Sequence, residues 1–250
     1  MKILLSIDDT DNLDSPGTGH LLDKLKKEIE ELGWGKSSRI TRHQLFVHPK
    51  VPYTSHNSAM CCEIDLKENR IKTLIEYGQK FLEKISAPGS DPGLGVLSLD
   101  SLTKTDKDLL ISFGQQSKKK VLTKKEAYSL AKKINLHLSE HGGTGDGIIG
   151  ALAALGLRLS GYDGRYKGWF SAPKENGVLT VETLCSWPEI DEVRTIDKKD
   201  KLSDQTKVLL KGKLKTILWD YKSILLVEKS DHKDKGINWQ SCPKEKIKMF

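Results

Sequence analysis

The chain has 250 residues, 37% hydrophobic and 30% charged, and its 41 Lys and Arg against 34 Asp and Glu give a net charge of +7. That length fits one large domain or two modest ones, and the composition is that of a polar but ordinary soluble globular protein. No apolar run approaches the roughly 18 residues of a membrane-spanning helix, so no membrane partner is expected. The N-terminus reads as a core strand rather than a signal peptide. The cysteines, Cys61, Cys62, Cys185 and Cys242, form no CxxC pair. A zinc ribbon is therefore not expected, and reduced thiols in a cytoplasmic protein are. The charge is uneven. Residues 1–100 carry 13 basic and 15 acidic side chains, residues 101–250 carry 28 and 19. The basic second half suits an anionic partner such as a nucleic acid or nucleotide, or equally a lysine-rich solvated surface.

The apolar run Ile3-Leu4-Leu5-Ser6-Ile7 predicts a buried strand over residues 2–7. It feeds directly into Asp8-Asp9-Thr10-Asp11-Asn12. Three carboxylates within four residues repel one another, and a hard divalent cation with oxygen ligands resolves that repulsion. Mg²⁺ needs only one or two carboxylates, so Asp8, Asp9 and Asp11 are the candidate metal residues. Gly17-Thr18-Gly19 then opens a helix, where N–H groups point at anions. The other reading is a solvated acidic turn with Asp14 or Ser15 capping that helix.

Leu21, Leu22, Leu25, Ile29 and Leu32 give the first helix, stopped at Gly33. Residues 38–48 read as extended, 51–57 as a polar connection and 58–66 as a strand in which Cys61 and Cys62 face opposite ways. Ile71, Leu74, Ile75, Gly78, Leu82 and Ile85 give a second amphipathic helix, and Leu94 to Leu99 a strand after the Pro88–Gly93 turn. The order β-α-β-β-α-β is that of a ferredoxin-like unit over residues 1–100 of an α+β protein, with two helices on one sheet face.

Residues 101–160 read as a helical segment. A helix is expected over 102–113, then a basic connector at Lys118-Lys119-Lys120. A helix capped by Thr123 and Glu126 follows, with Ala127, Leu130, Ala131, Ile134 and Leu138 as its stripe. His141-Gly142-Gly143-Thr144-Gly145-Asp146-Gly147 then leads into an apolar, small-residue helix from Ile148 to Gly156. A glycine-rich loop opening a buried helix can cradle phosphate, with Gly143, Thr144 and Gly145 as candidates, or can simply turn the chain between two helices. It lacks the Lys of a P-loop, and with no strand expected before it, it does not fit a dinucleotide fingerprint. His141, Asp146 and His20 are candidates for orienting an acceptor. Residues 161–250 read as a β-rich region, with extended runs at 178–184, 207–210, 213–219 and 223–228 and a polar loop at Asp231–Gly236. Trp169, Trp187, Trp219 and Trp239 lie here as core or as base-stacking groups.

Five stretches carry a family resemblance. They are Ile7-Asp8-Asp9-Thr10-Asp11-Asn12 with Gly17-Thr18; Val51-Pro52-Tyr53-Thr54 leading to Asn57; Asp91-Pro92-Gly93; the glycine-rich loop into Ile149–Gly156; and Asp163-Gly164-Arg165-Tyr166. In this order the chain resembles the archaeal tRNA agmatinylcytidine synthetase (TiaS) family. The resemblance implies a Mg²⁺- and ATP-dependent enzyme that phosphorylates a nucleobase carbonyl oxygen, after which a small amine displaces the phosphate. It implies that Asp8, Asp9 and Asp11 hold metal and phosphates, with Thr10, Gly17 and Gly19 around the nucleotide. Thr18 then contacts or accepts phosphate. The family's cysteine zinc ribbon has no counterpart here, and its Lys-Thr-Arg-Gly-Asn stretch is Tyr53-Thr54-Ser55-His56-Asn57. The expectation is a stand-alone relative of the catalytic core, with an RNA or other nucleobase-containing substrate. The competing expectation is an RNA- or nucleotide-binding module without chemistry.

Overall fold

The computed structural model describes residues 1–49, 51, 57–171, 177–230 and 237–250. Pro52 to His56 of the expected polar connection and the expected loop Asp231–Gly236 lie outside the described residues. The chain divides into two units, Met1–Ser160 and Gly161–Phe250.

The first unit is built on β1 (Lys2–Asp8), whose alternation feeds two cores. Ile3, Leu5 and Ile7 face α1 (Thr18–Glu31), which buries Leu21, Leu22, Leu25 and Ile29. After β2 (Gly35–Ser37) and β3 (Thr41–Gln44), β4 (Ser58–Leu66) returns beside β1. α2 (Ile71–Ile85) joins α1 on the same face, and β5 (Gly93–Ser98) pairs with the other edge of β1. The order β5-β1-β4-β3, antiparallel throughout, is the ferredoxin-like arrangement, with β2 also paired to β4. Cys61 and Cys62 are both fully buried, one in each core.

The opposite face, with Leu4, Cys61 and Leu97, is covered by α5 (Gly147–Ser160), behind which lies α3 (Lys104–Ser117). α5 buries ten of its fourteen residues, as its apolar, small-residue sequence predicts. The helix expected to include Leu138 ends earlier. α4 (Lys124–Lys133) stops before Asn135, whose positive φ of 52° breaks the helical path. His137–Glu140 then forms β6, antiparallel to β5. The glycine-rich loop therefore does follow a strand, contrary to the sequence expectation.

The second unit is β-rich. β7 (Arg165–Tyr166) and β8 (Phe170–Ser171) precede β9 (Val178–Thr180). The run expected to stay extended to residue 184 turns helical at α6 (Val181–Cys185), because the Thr180 side chain accepts the Thr183 N–H as an N-cap. β10 (Glu192–Thr195), which the sequence pattern does not reveal, pairs parallel with β14 (Lys222–Lys229). β11 (Lys207–Leu209), β12 (Lys213–Leu214) and β13 (Thr216–Trp219) come between them in sequence, and β15 (Trp239–Ser241) and α7 (Lys244–Ile247) follow. Within the unit the path runs β7-β13-β14-β15-β11-β9, and β8 pairs with β12. The β13–β14 hairpin turns through Asp220 and Tyr221, both at positive φ as a type I′ turn requires. Trp187, Trp219 and Trp239 pack against hydrophobic cores, whereas Trp169 is 37% exposed, with Lys215 and Lys244 near its ring. Among the described residues no helix is long and apolar enough to cross a membrane.

Candidate active site

Close packing at the end of β1 sets the site. Ser6 shares a face with Leu4 and donates its hydroxyl to the Ala151 carbonyl at 2.7 Å, drawing α5 down onto the sheet. Gly93 and Gly147 meet backbone to backbone: a Cβ on Gly93 would lie 2.3 Å from the Gly147 carbonyl carbon. Asp8, the last residue of β1, reaches the first turn of α5. A Cβ on Gly150 would lie 1.7 Å from Asp8 Oδ2, so the carboxylate occupies the volume an ordinary helix residue would fill. The amino end of α5, with the positive end of its dipole, is thus beside Asp8, while the Ile148 and Ile149 N–H groups donate to the Gly145 and Asp146 carbonyls.

The next residue leaves the strand sharply. Asp9 has φ of 51°, the left-handed region that non-glycine residues seldom adopt and that gathers at functional sites. Burial pushes the Asp8 carboxyl well above the usual carboxylate range, and the charges of Asp9 and Asp11 add to this. Burial, then Asp91, Asp11 and Asp146, raise Asp9 to about 6. Among the described residues no three His, Cys, Asp or Glu side chains form a ready-made metal cage. Asp8 and Asp9 nevertheless offer the one or two carboxylates that Mg²⁺ takes when water and phosphate oxygens complete its shell.

Asp11 is engaged differently. Thr18, buried at the start of α1, donates its hydroxyl to Asp11 Oδ1 at 2.9 Å and accepts from the Thr10 hydroxyl at 3.1 Å. Gly17 is the N-cap of α1 and supplies no side-chain cap, and Ser15 bonds Asn12 rather than the helix. The Arg42 guanidinium on β3 lies close enough to feel the Asp11 charge; burial lowers its pKa and Asp11 opposes that.

A cavity of about 370 Å³ opens over this floor. Asp8, Asp9, Asp11, Thr18, Asp146, Gly147 and Gly150 line one side. Leu45, Phe46, Val121 and Leu122 make an apolar wall, and Lys120 and Lys124 add two cations. Asn57, Ser58 and Ser117 contribute polar groups. Sequence patterns do not reveal that the α3–α4 connector meets the acidic strand end; the lysine run at 118–120 is the one local sign of it. Thr10 and Gly19 are buried behind the lining, and Gly17 is exposed outside it.

The glycine-rich loop is folded around carboxylates of the protein itself. Thr144 donates its N–H to Asp91 and its hydroxyl to Asp91 Oδ2 at 2.9 Å. Side-chain carboxylates lie where a Cβ on Gly143 or Gly145 would go: Asp91 at 1.7 Å and Glu140 at 1.6 Å. Lys124 donates to the Thr144 carbonyl and pairs with Glu140 at 3.3 Å. Gly143, Thr144 and Gly145 therefore stand beside the cavity without lining it, and the loop reaches it through Asp146 and Gly147. His141 turns away to Ser139 at 2.8 Å and Glu83 at 3.4 Å, and His20 is exposed on α1.

No family model matches the chain. It is 28% identical over 167 residues to the tRNA 2-agmatinylcytidine synthetase TiaS from Pyrococcus horikoshii, a match that covers 65% of this chain and 37% of that protein. Among solved structures it is similar to the complex of TiaS with its tRNA and ATP, with a TM-score of 0.54 at 20% identity, covering 78% of this chain and 47% of that one. The complex of TiaS with tRNA, AMPCPP and agmatine gives 0.53 at 20% identity over 78% and 48%. A tRNA fluorescent labeling enzyme gives 0.53 at 20% identity over 76% and 45%. The chain thus spans less than half the length of the proteins it matches. By sequence over that stretch, and by fold, the chain is similar to TiaS.

Proposed function

We propose that this protein is an ATP-using enzyme of the tRNA agmatinylcytidine synthetase type, which phosphorylates a carbonyl oxygen of a nucleobase and lets a small amine displace the phosphate. One observation carries this reading: a single cavity joins clustered carboxylates, a helix amino terminus, two lysines and an apolar wall. Those are the parts a nucleoside triphosphate needs. The relatives were solved with ATP, with an ATP analogue and with agmatine, on tRNA.

The division of labour follows from the lining. Asp8 and Asp9 would hold Mg²⁺, which supplies charge neutralisation for the phosphate oxygens when bound. The dipole of α5 at its amino end and the Lys120 ammonium would favour the phosphate chain, and Lys124, held by Glu140 and the Thr144 carbonyl, adds positive charge beside it. Leu45, Phe46, Val121 and Leu122 offer an apolar surface against which a base can pack. Asp11 orients Thr18 through the 2.9 Å bond and is placed to take its proton should that hydroxyl accept a phosphoryl group.

The test is the melting temperature of wild type and Asp9→Asn with and without ATP and Mg²⁺. A ligand at a hundred times its dissociation constant adds about 2.7 kcal/mol, several degrees for a chain of this size. A Mg²⁺-dependent rise in wild type that is absent from the variant supports the site, and no rise in either protein rejects it. A second reading is an RNA- or nucleotide-binding module without chemistry, favoured by Trp169, exposed beside Lys215 and Lys244. That module predicts RNA affinity falling steeply with salt and no nucleotide turnover.

A further inference from the structure

Arg42 feels the Asp11 charge, and its bonding leaves its fork open among the described residues. It sits on β3 opposite Met60, which is in turn opposite Ile7 on β1, and so projects on the sheet face that α1 covers. Its Nε donates to the Ser58 hydroxyl at 2.8 Å, and Ser58 lines the cavity. That bond orients the guanidinium plane. The Nη groups take no acceptor among the described residues, and the guanidinium forms no ion pair there. Asp11 is near, but its Oδ1 receives the Thr18 hydroxyl.

A half-buried guanidinium whose fork meets no acceptor among the described residues is an unfavourable arrangement in isolation. Its geometry matches the paired oxygens of a phosphoryl group, which an ammonium does not match. Asp8, Asp9, Asp11 and Thr18 mark the phosphate end of the cavity; Arg42 lies behind that end, bonded to the lining residue Ser58 and within reach of the Asp11 charge. Resting on the nucleotide reading above, the geometry points to Arg42 as a further binding residue that clamps the terminal phosphoryl group of the bound nucleotide through its two Nη groups.

The competing account is that Arg42 only balances the acidic cluster. The two accounts part on Arg42→Lys, which keeps the charge and loses the fork. Calorimetric titration of wild type, Arg42→Lys and Arg42→Gln with ATP and with adenosine, each with Mg²⁺, decides between them. Arg42→Gln is expected to weaken ATP by about tenfold or more and to leave adenosine within about twofold, and Arg42→Lys to remain several-fold weaker than wild type for ATP. If Arg42→Lys binds ATP as wild type does, or if Arg42→Gln loses ATP and adenosine equally, the clamp is wrong. Should Arg42→Gln fail to fold, Arg42→Lys alone decides the question. A wild type that binds no ATP overturns the nucleotide reading and this assignment together. ATP binding that is indifferent to both substitutions overturns Arg42 alone.

Discussion

Replacing Gly150 with alanine tests whether Asp8 acts from the place where the structure holds it. The new methyl would sit 1.7 Å from Asp8 Oδ2, 2.7 Å from Cγ and 3.2 Å from Cβ, so it collides with the free end of one side chain. The carboxylate can rotate away for about 0.5–1.5 kcal/mol, while alanine in a helix interior gains about 1 kcal/mol over glycine. The two terms nearly cancel, and the melting temperature should move by no more than about 2–4 °C. Ligand binding should respond quite differently. Moving a charged group out of register forfeits about 1.5–3 kcal/mol, which is tenfold or more in the affinity for ATP with Mg²⁺. Gly93→Ala is the contrast. Its methyl would lie 2.3 Å from the Gly147 carbonyl carbon and 2.4 Å from the Ile148 nitrogen, and backbone cannot rotate aside. α5 must lift, at about 1–3 kcal/mol or more, so stability and binding should fall together. Thermal melts and calorimetry on both variants settle the matter. A Gly150→Ala protein with wild-type affinity would refute the role of Asp8. One as destabilised as Gly93→Ala would refute the claim that a side chain absorbs the clash.

Asp9→Asn should stabilise the metal-free protein above about pH 6. The folded carboxyl, raised to about 6 from 3.8, favours its proton, so wild type loses stability as pH rises through that window and the neutral amide does not. Asparagine also tolerates the 51° φ. Melts from pH 4 to 8 should show the curves converging at the acid end, and a variant less stable than wild type at pH 8 would contradict the repulsion. Thr18→Val leaves Asp11 and Thr10 without their shared partner and should cost about 1–3 kcal/mol in chemical unfolding, with Thr18→Ser close to wild type. In the second unit Glu192 is 8% exposed and pairs with Arg194 at 2.6 Å and Lys222 at 2.5 Å. Glu192→Gln should cost about 1–3 kcal/mol, discounted for the exposure of Lys222, and lower hydrogen-exchange protection in β10 and β14 while the ATP response of the first unit persists.

The elements that bury a regular face were legible in the sequence. β1 shows its alternation, α1 and α2 their 3.6-residue stripe, and α5 its unbroken apolar surface, and together they give the ferredoxin-like order. β6 was not legible, because Ile134 and Leu138 continue the helical stripe of α4 and only the backbone turn at Asn135 ends it. Asp8, Asp9, Asp11 and Thr18 could be named from spacing because they are local in sequence. Lys120, Lys124, Phe46 and Ser58 could not, since they reach the cavity through tertiary packing. The glycine-rich loop shows the limit of motif reading. Sequence tells that Gly143 and Gly145 leave space, but not that Asp91 and Glu140 are what fills it.

The floor and the roof of the cavity differ in how freely they can change. Asp8 fills the volume beside Gly150, Gly93 and Gly147 share another, and a side chain at any of the three glycines requires its neighbour to shift. Glycines that touch no ligand are therefore as constrained as the carboxylates. The α3–α4 connector carries the exposed Lys120 and Val121 on a segment with no such interlock, and Phe46 follows the end of β3, while Leu45 and Leu122 are anchored in the core. Random drift, or a mutagenic library, would leave the acidic end fixed and rewrite the exposed part of the wall above it. A scaffold divided in this way can keep one chemistry while its descendants exchange what that chemistry is applied to.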